Sequence, residues 1–99
     1  MVIAVVSSER RMTLKPIRIF TTRYCGFCIA AKRLLKGRDL EFEEIDVQGD
    51  TAAREWLRRT TGQHTVPQIF IGDESIGGYR ELNLLDRSGR LQDLLQSSA

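Results

Sequence analysis

The strongest constraint in this sequence is the order of its apolar patterns, which switch between strand and helix periods several times within 99 residues. Ile17-Arg18-Ile19-Phe20 is short and β-rich, and Pro16 precedes it at a strand start, where a missing N–H is tolerated. Residues 25–36 then read as a helix, with Ala30, Ala31, Leu34 and Leu35 on its apolar face and Lys32, Arg33 and Lys36 outside. Gly37 is a natural stop, and the basic residues fall in the last turns, where the helix dipole favours them. Residues 41–47 predict a second strand. Asp50 is placed as the N-cap of a second helix, Ala53, Trp56, Leu57 and Thr60 recur at i, i+3, i+4 and i+7 as its buried face, and Gly62 ends it. That spacing puts Trp56 in the core. Val66 to Ile71 is an apolar strand containing Pro67, and Gly72-Asp73 turns into a short strand at Glu74–Ile76. After Gly77-Gly78, helical segments cover 79–86 and 91–96, with Leu91, Leu94 and Leu95 facing inward. The order is β-α-β-α-β-β-α. An early βαβ unit demands parallel strands, and a tight β-turn-β demands an antiparallel pair. One mixed sheet with helices on both faces satisfies both, an α/β fold.

A chain of this length holds one domain with one modest core. Fifteen basic residues against thirteen acidic ones, net +2, are too balanced to argue for nucleic acid as the main partner. No apolar run approaches the roughly 20 residues that span a bilayer, so no membrane partner is expected. Val2-Ile3-Ala4-Val5-Val6 has no basic segment before it, is shorter than a signal h-region, and runs into Ser7-Ser8-Glu9-Arg10-Arg11. A secretory signal is therefore not expected. Residues 1–14 are set apart as an N-terminal extension, of which 1–11 are expected to be dispensable for fold and activity, and residues 15–99 as the domain.

The only two cysteines are Cys25 and Cys28. A bridge between thiols three positions apart closes almost no loop and adds little stability, so this pair is there for chemistry or for a metal. A structural zinc site needs about four ligands, and the chain supplies two Cys and His64 alone. The pair lies in Tyr24-Cys25-Gly26-Phe27-Cys28, at the junction of the first strand and first helix. A sulfur there faces unpaired backbone N–H groups and the positive end of the dipole, which favour thiolate over thiol. Arg23 adds positive charge nearby. Cys25 is thus the expected exposed nucleophile. Cys28, one turn on and more buried, is the thiol that attacks a mixed disulfide formed on Cys25.

Ile19-Phe20-Thr21 before the Cys-Gly-Phe-Cys element, Thr65-Val66-Pro67-Gln68-Ile69-Phe70-Ile71, and Gly77-Gly78-Tyr79-Arg80-Glu81-Leu82 together resemble the three signature segments of the glutaredoxin family, in their usual order. The resemblance covers about Ile17 to Leu95. It implies a thioredoxin-like fold, a mixed four-stranded sheet flanked by helices, and a glutathione-dependent thiol–disulfide oxidoreductase. It implies that Pro67 is cis beside Cys25, with the Val66 backbone pairing with glutathione as with an extended peptide. It places Arg23, Phe27, Thr65, Val66, Pro67, Gly78, Tyr79 and Arg80 around glutathione, the γ-glutamyl carboxylate lying on backbone N–H groups at a helix start. Glutathione enters as co-substrate, and glutathionylated or disulfide-containing proteins as partners of a monomeric, cytoplasmic enzyme.

Two positions depart from the family pattern. Thr22 stands where many members have lysine, with Arg23 beside it, and Arg80 stands where many have an acidic residue. Arg80 cannot pair with an α-amino group, so an altered glutathione affinity is expected. Gly26, where many dithiol members have proline, motivates an alternative: a cluster-bridged dimer in which Cys25 from each of two chains and two glutathiones hold a [2Fe–2S] cluster. A thioredoxin-like reductant fed by a flavoprotein is a third reading. His64 is expected as a loop side chain beside the ligand groove. Glu41, Glu43, Glu44 and Asp46 are expected as a solvated strand edge. Lys32, Arg33, Lys36 and Arg38 are expected as a solvated basic face able to steer anionic glutathione.

Overall fold

The computed structural model describes residues 14–96. The extension at 1–14 therefore lies, but for Leu14, outside the described residues. The elements are β1 (Ile17–Thr21), α1 (Gly26–Gly37), β2 (Glu43–Asp46), α2 (Thr51–Thr61), β3 (Gln68–Ile71), β4 (Glu74–Gly77), α3 (Tyr79–Arg87) and α4 (Arg90–Gln96). They form one four-stranded sheet in the order β2-β1-β3-β4. β1 runs parallel to β2, with Phe20 opposite Ile45, and antiparallel to β3, with Ile19 opposite Ile69. β3 and β4 form the expected antiparallel pair, with an irregularity between Ile69 and Phe70. This is the mixed sheet of a thioredoxin-like fold.

Period-two alternation in β1 and β3 divides the core between two faces. Ile17, Ile19, Ile69 and Ile71 point to one side, where Ala31 and Leu35 of α1, Leu82 of α3, and Leu91 and Leu95 of α4 bury them. Phe20 and Phe70 point to the other side and meet Val47 and Leu57. The two phenylalanine rings meet edge to face at 5.6 Å, and the Arg18 guanidinium lies 5.2 Å from the Phe70 ring centre. Three helices cover one face and α2 alone covers the other. The domain's beginning is tied down by Lys15 N–H, which donates to Leu95 C=O at 2.9 Å, and by Pro16 C=O, which accepts from Gly72 N–H at 2.8 Å. No helix among the described residues is long and apolar enough to cross a membrane.

Several details differ from the sequence expectation. In α2 the inward stripe is Ala53, Leu57 and Thr61, not Ala53, Trp56, Leu57 and Thr60. Trp56 is 39% exposed and lies 5.8 Å from both Phe20 and Phe70 at the rim of the smaller cluster. That cluster is small enough for one leucine to fill, which leaves the indole at its margin and Thr60 in solvent. α1 runs through Gly37, and the left-handed residue that closes it is Asp39 (φ 57°), a type whose short polar side chain tolerates that conformation. β2 is shorter than 41–47, because Phe42 and Val47 flank the paired segment rather than joining it.

Asp50 caps α2 as its position predicted, Oδ1 accepting the Ala53 N–H at 3.0 Å, and Gly62 closes the helix in the left-handed region (φ 77°). Asp50→Ala leaves that N–H without a partner and is expected to cost about 1 kcal/mol. A urea midpoint identical to wild type would contradict the cap.

Candidate active site

After β1 the chain turns through Thr22–Tyr24, with Tyr24 held at φ 58° and its ring fully exposed. Cys25 is the N-cap of α1, in extended geometry, and its Sγ accepts the Cys28 N–H at 3.2 Å. Sulfur occupies the place that a serine or aspartate oxygen fills at other helix starts, so a donor stabilises negative charge on it. Cys25 is half-buried, and its Sγ lies 3.7 Å from the Val66 carbonyl oxygen, to which the thiol donates. At Gly26 a side chain would stand in open space, so crowding does not explain that glycine.

Cys28 is 2% exposed. Burial pushes its thiol up to about 12, the adjacent Cys25 sulfur adds to the rise, and the Lys32 cation partly opposes it. An unfolded chain releases this proton near the ordinary 9.0, whereas the folded protein keeps it to about 12. Between those values the folded state holds the extra proton, so raising the pH favours unfolding; below them the contribution is fully present. Wild type should therefore lose stability more steeply than Cys28→Ser as pH rises from about 9 to about 12. Parallel urea-unfolding curves for the two proteins would contradict this environment for Cys28.

On one side of Cys25 a groove of about 550 Å³ contains Phe27, Thr65, Val66, Pro67, Gly78, Tyr79 and Arg80, all anticipated from the sequence. The Val66–Pro67 bond is cis. Gln68, fully buried behind the loop, donates from Nε2 to the Thr65 carbonyl at 2.8 Å and holds that turn against β3. Phe27 and Tyr79 stack at 6.2 Å, joining the starts of α1 and α3 across the groove floor. At Gly78 the backbone passes close to the cis-proline loop: a Cβ there would sit 3.3 Å from the Pro67 carbonyl oxygen, a tight contact.

Three further residues line this groove without having been anticipated: Gln63, Glu81 and Asn83. Glu81 had a readable signal, since it lies three residues into the helix that Gly78 caps. Its Oε1 accepts the Gly78 N–H at 2.9 Å, half of a capping box. This consumes one of the helix-start donors, and Gly77 adopts φ 102°, a conformation that strains any side chain, with the Glu81 carboxylate close beside it. Gln63 and Asn83 carry no such signal. His64 is exposed; its carbonyl accepts from Arg54 Nη2 at 3.2 Å, and it is not among the residues lining the groove.

Arg23, also anticipated around the ligand, does not line this groove but the neighbouring cavity on the other side of Cys25. That cavity, of about 270 Å³, is also lined by Cys25 and Cys28, with Lys32, Glu44 and Asp46, and the Arg23 Nε lies 3.8 Å from Asp46 Oδ2. Glu44 is more than solvated edge: Lys32 Nζ at 2.9 Å and Thr21 Oγ1 at 2.8 Å both donate to its Oε2, and the Lys32 hydrogen bond leads in holding the carboxyl below its usual range. Arg38 likewise leaves the expected solvated face to make a two-pronged pair with Asp86, at 2.8 and 2.9 Å, between α1 and α3. Among the described residues no three His, Cys, Asp or Glu side chains are grouped to hold a metal ion.

The geometry therefore brings a capped, accessible thiol, a buried second thiol and an open peptide-sized groove to one end of the sheet. A family model described as Glutaredoxin matches residues 17–76. The chain is 42% identical over 84 residues to a glutaredoxin of Pseudomonas aeruginosa, covering 85% of this chain and all of that one. It is 40% identical over 80 residues to glutaredoxin 3 of Escherichia coli, covering 81% and 96%. Among solved structures, a buckwheat glutaredoxin–glutathione complex superposes with a TM-score of 0.76 at 29% identity, covering 94% of this chain and 87% of that one. The solution structure of glutaredoxin from Brucella melitensis also gives 0.76, at 36% identity, covering 85% and 91%. On the strength of the motif match and of these relatives along most of its length, the chain belongs to the glutaredoxin family and is a thiol–disulfide oxidoreductase.

Proposed function

We propose that this oxidoreductase is coupled to glutathione, reducing glutathione mixed disulfides and protein disulfides through Cys25. The observation that carries the reading is the groove beside Cys25, where Thr65, Val66 and Pro67 face Gly78, Tyr79 and Arg80 across a space of about 550 Å³. An extended tripeptide suits such a site: the Val66 backbone offers strand-like pairing close to the sulfur, and the start of α3 offers N–H groups for a carboxylate. The likeness to a glutaredoxin solved with glutathione supports the same ligand.

In the proposed reaction, the Cys25 thiolate attacks the glutathione sulfur of a mixed disulfide. The Cys25–glutathione bond forms, the old disulfide breaks, and the substrate protein leaves as a thiolate that takes a proton from water. A second glutathione then displaces the first as oxidised glutathione, or Cys28 loses its proton, attacks Cys25 and expels glutathione, leaving a Cys25–Cys28 disulfide. Protein disulfides are opened by the same attack and released by Cys28. Such a cycle belongs in a reducing cytoplasm supplied with glutathione.

A coupled assay with glutathione, glutathione reductase and NADPH tests this against a small glutathione mixed disulfide. Turnover that depends on glutathione, by a colourless monomer, supports the proposal. Turnover only with a flavoprotein thioredoxin reductase contradicts it. A brown dimer after anaerobic purification, inert in the assay and bleached in Cys25→Ser, would instead support the bridging [2Fe–2S] cluster.

A further inference from the structure

The candidate glutathione groove does not end at α3. Tyr79 and Asn83 line it and also line a second groove of about 510 Å³ between α1 and α3, so the two share a wall and form one trough. The second groove has a half-buried floor of Ala30, Leu34 and Tyr79, and Gly37 leaves its far end open. We propose that this groove docks an acidic segment of the protein substrate, about four residues along the chain from the reacting cysteine. The proposal rests on the reading of Cys25 as the thiol that attacks that substrate.

Charge complementarity is the main argument. The carboxylate lining the groove, Asp86, is already matched, because both of its oxygens accept from Arg38 and its side chain is only 12% exposed. Arg33, on the rim, is exposed and makes no ion pair or hydrogen bond among the described residues. Lys36, three residues on along α1, is also exposed and unmatched, and so is Arg80 where the two grooves join. Two unmatched cations, Arg33 and Lys36, thus stand beside the α1–α3 groove, whose own carboxylate is neutralised, while Arg80 and Glu81 both line the adjoining groove. Glutathione is too short to engage both cations from the Cys25 side, whereas a polypeptide attached to the reacting sulfur is not.

Distance sets the position of the acidic residues. Eight residues of helix separate Cys25 from Arg33, about 12 Å along the axis. An extended chain covers that in roughly four residues. Apolar or small side chains between the cysteine and the carboxylate would lie on Tyr79, Ala30 and Leu34. A second copy of this chain is a poorer occupant, because two of the three carboxylates on its β2 edge, Glu44 and Asp46, are engaged by Lys32 and Arg23, leaving only Glu43.

The test uses the full-length protein and two synthetic peptides, each with one glutathionylated cysteine. One carries glutamates at the fourth and fifth positions on both sides, and the other carries lysines there. A small non-peptide glutathione mixed disulfide is the control. Wild type should turn over the acidic peptide with a kcat/KM about tenfold higher at low salt, and the preference should shrink at about 0.5 M salt, where screening is nearly complete. Arg33→Glu combined with Lys36→Glu should lower kcat/KM for the acidic peptide about tenfold more than for the small mixed disulfide, which shares only their long-range steering of glutathione. Equal turnover of the two peptides overturns the proposal, as does a double variant that keeps the preference or self-association that accounts for it. A wild type inert on the small mixed disulfide would overturn the glutathione reading itself, a separate result.

Discussion

Cys25→Ser is expected to abolish thiol–disulfide exchange, while Cys28→Ser keeps deglutathionylation and loses most reduction of protein disulfides. The asymmetry follows from the environments of the two sulfurs. Cys25 is half-buried, caps α1 and receives the Cys28 N–H at 3.2 Å, so a hydrogen-bond donor already faces its sulfur at the mouth of the groove. Cys28 is buried and its thiol is pushed up to about 12, so it cannot begin an exchange near neutral pH; it reacts only once Cys25 holds a disulfide directly in front of it. A hydroxyl at position 25 is a far weaker nucleophile, and the loss should exceed about 1,000-fold, as when a covalent nucleophile is removed from other enzymes. Parallel assays on a glutathione mixed disulfide and a protein disulfide separate the two roles. Were Cys28→Ser the inactive variant and Cys25→Ser the active one, the assignment of roles would be reversed.

Leu82→Ala should destabilise the domain by about 3 kcal/mol, within the usual range for deleting a buried leucine side chain. Leu82 is fully buried on the inner face of α3, in the cluster built on Ile17, Ile19, Ile69 and Ile71. For a domain of this size that loss lowers Tm by roughly 12–24 °C. The functional consequence arises because α3 carries Tyr79 and Arg80 and is capped by Gly78, whose positions depend on Leu82 anchoring the helix to the sheet. KM for glutathione should therefore rise more than the reactivity of Cys25 falls. A variant with a wild-type Tm would show that the α3 contact is not part of the cooperative core.

Much of this was readable from the sequence because local chemistry and tertiary placement agree. Pro16, Asp50, Gly62 and the Gly77-Gly78 pair each mark an element boundary for a steric or hydrogen-bonding reason of their own, and the mixed character of the sheet follows from the early βαβ unit and the later tight turn. The groove residues were readable as three sequence segments. What was not readable depends on partners distant in sequence. Arg23 turns toward Asp46, Lys32 toward Glu44, and Arg38 toward Asp86, pairings of residues 12 to 48 positions apart that helix periodicity cannot anticipate. Trp56 was misplaced because a helical stripe states which residues share a face, not how wide the cluster beneath it is. Glu81 was missed although its capping position was visible, since Gly78 supplies no side chain to suggest a reciprocal cap.

The most direct test of the central claim is intact-mass analysis with peptide mapping after brief exposure of Cys28→Ser and Cys25→Ser to oxidised glutathione at neutral pH. The account predicts one glutathione on Cys25 in the first variant and, over the same interval, none on Cys28 in the second. Equal modification of Cys28, or no adduct on Cys25, would contradict it.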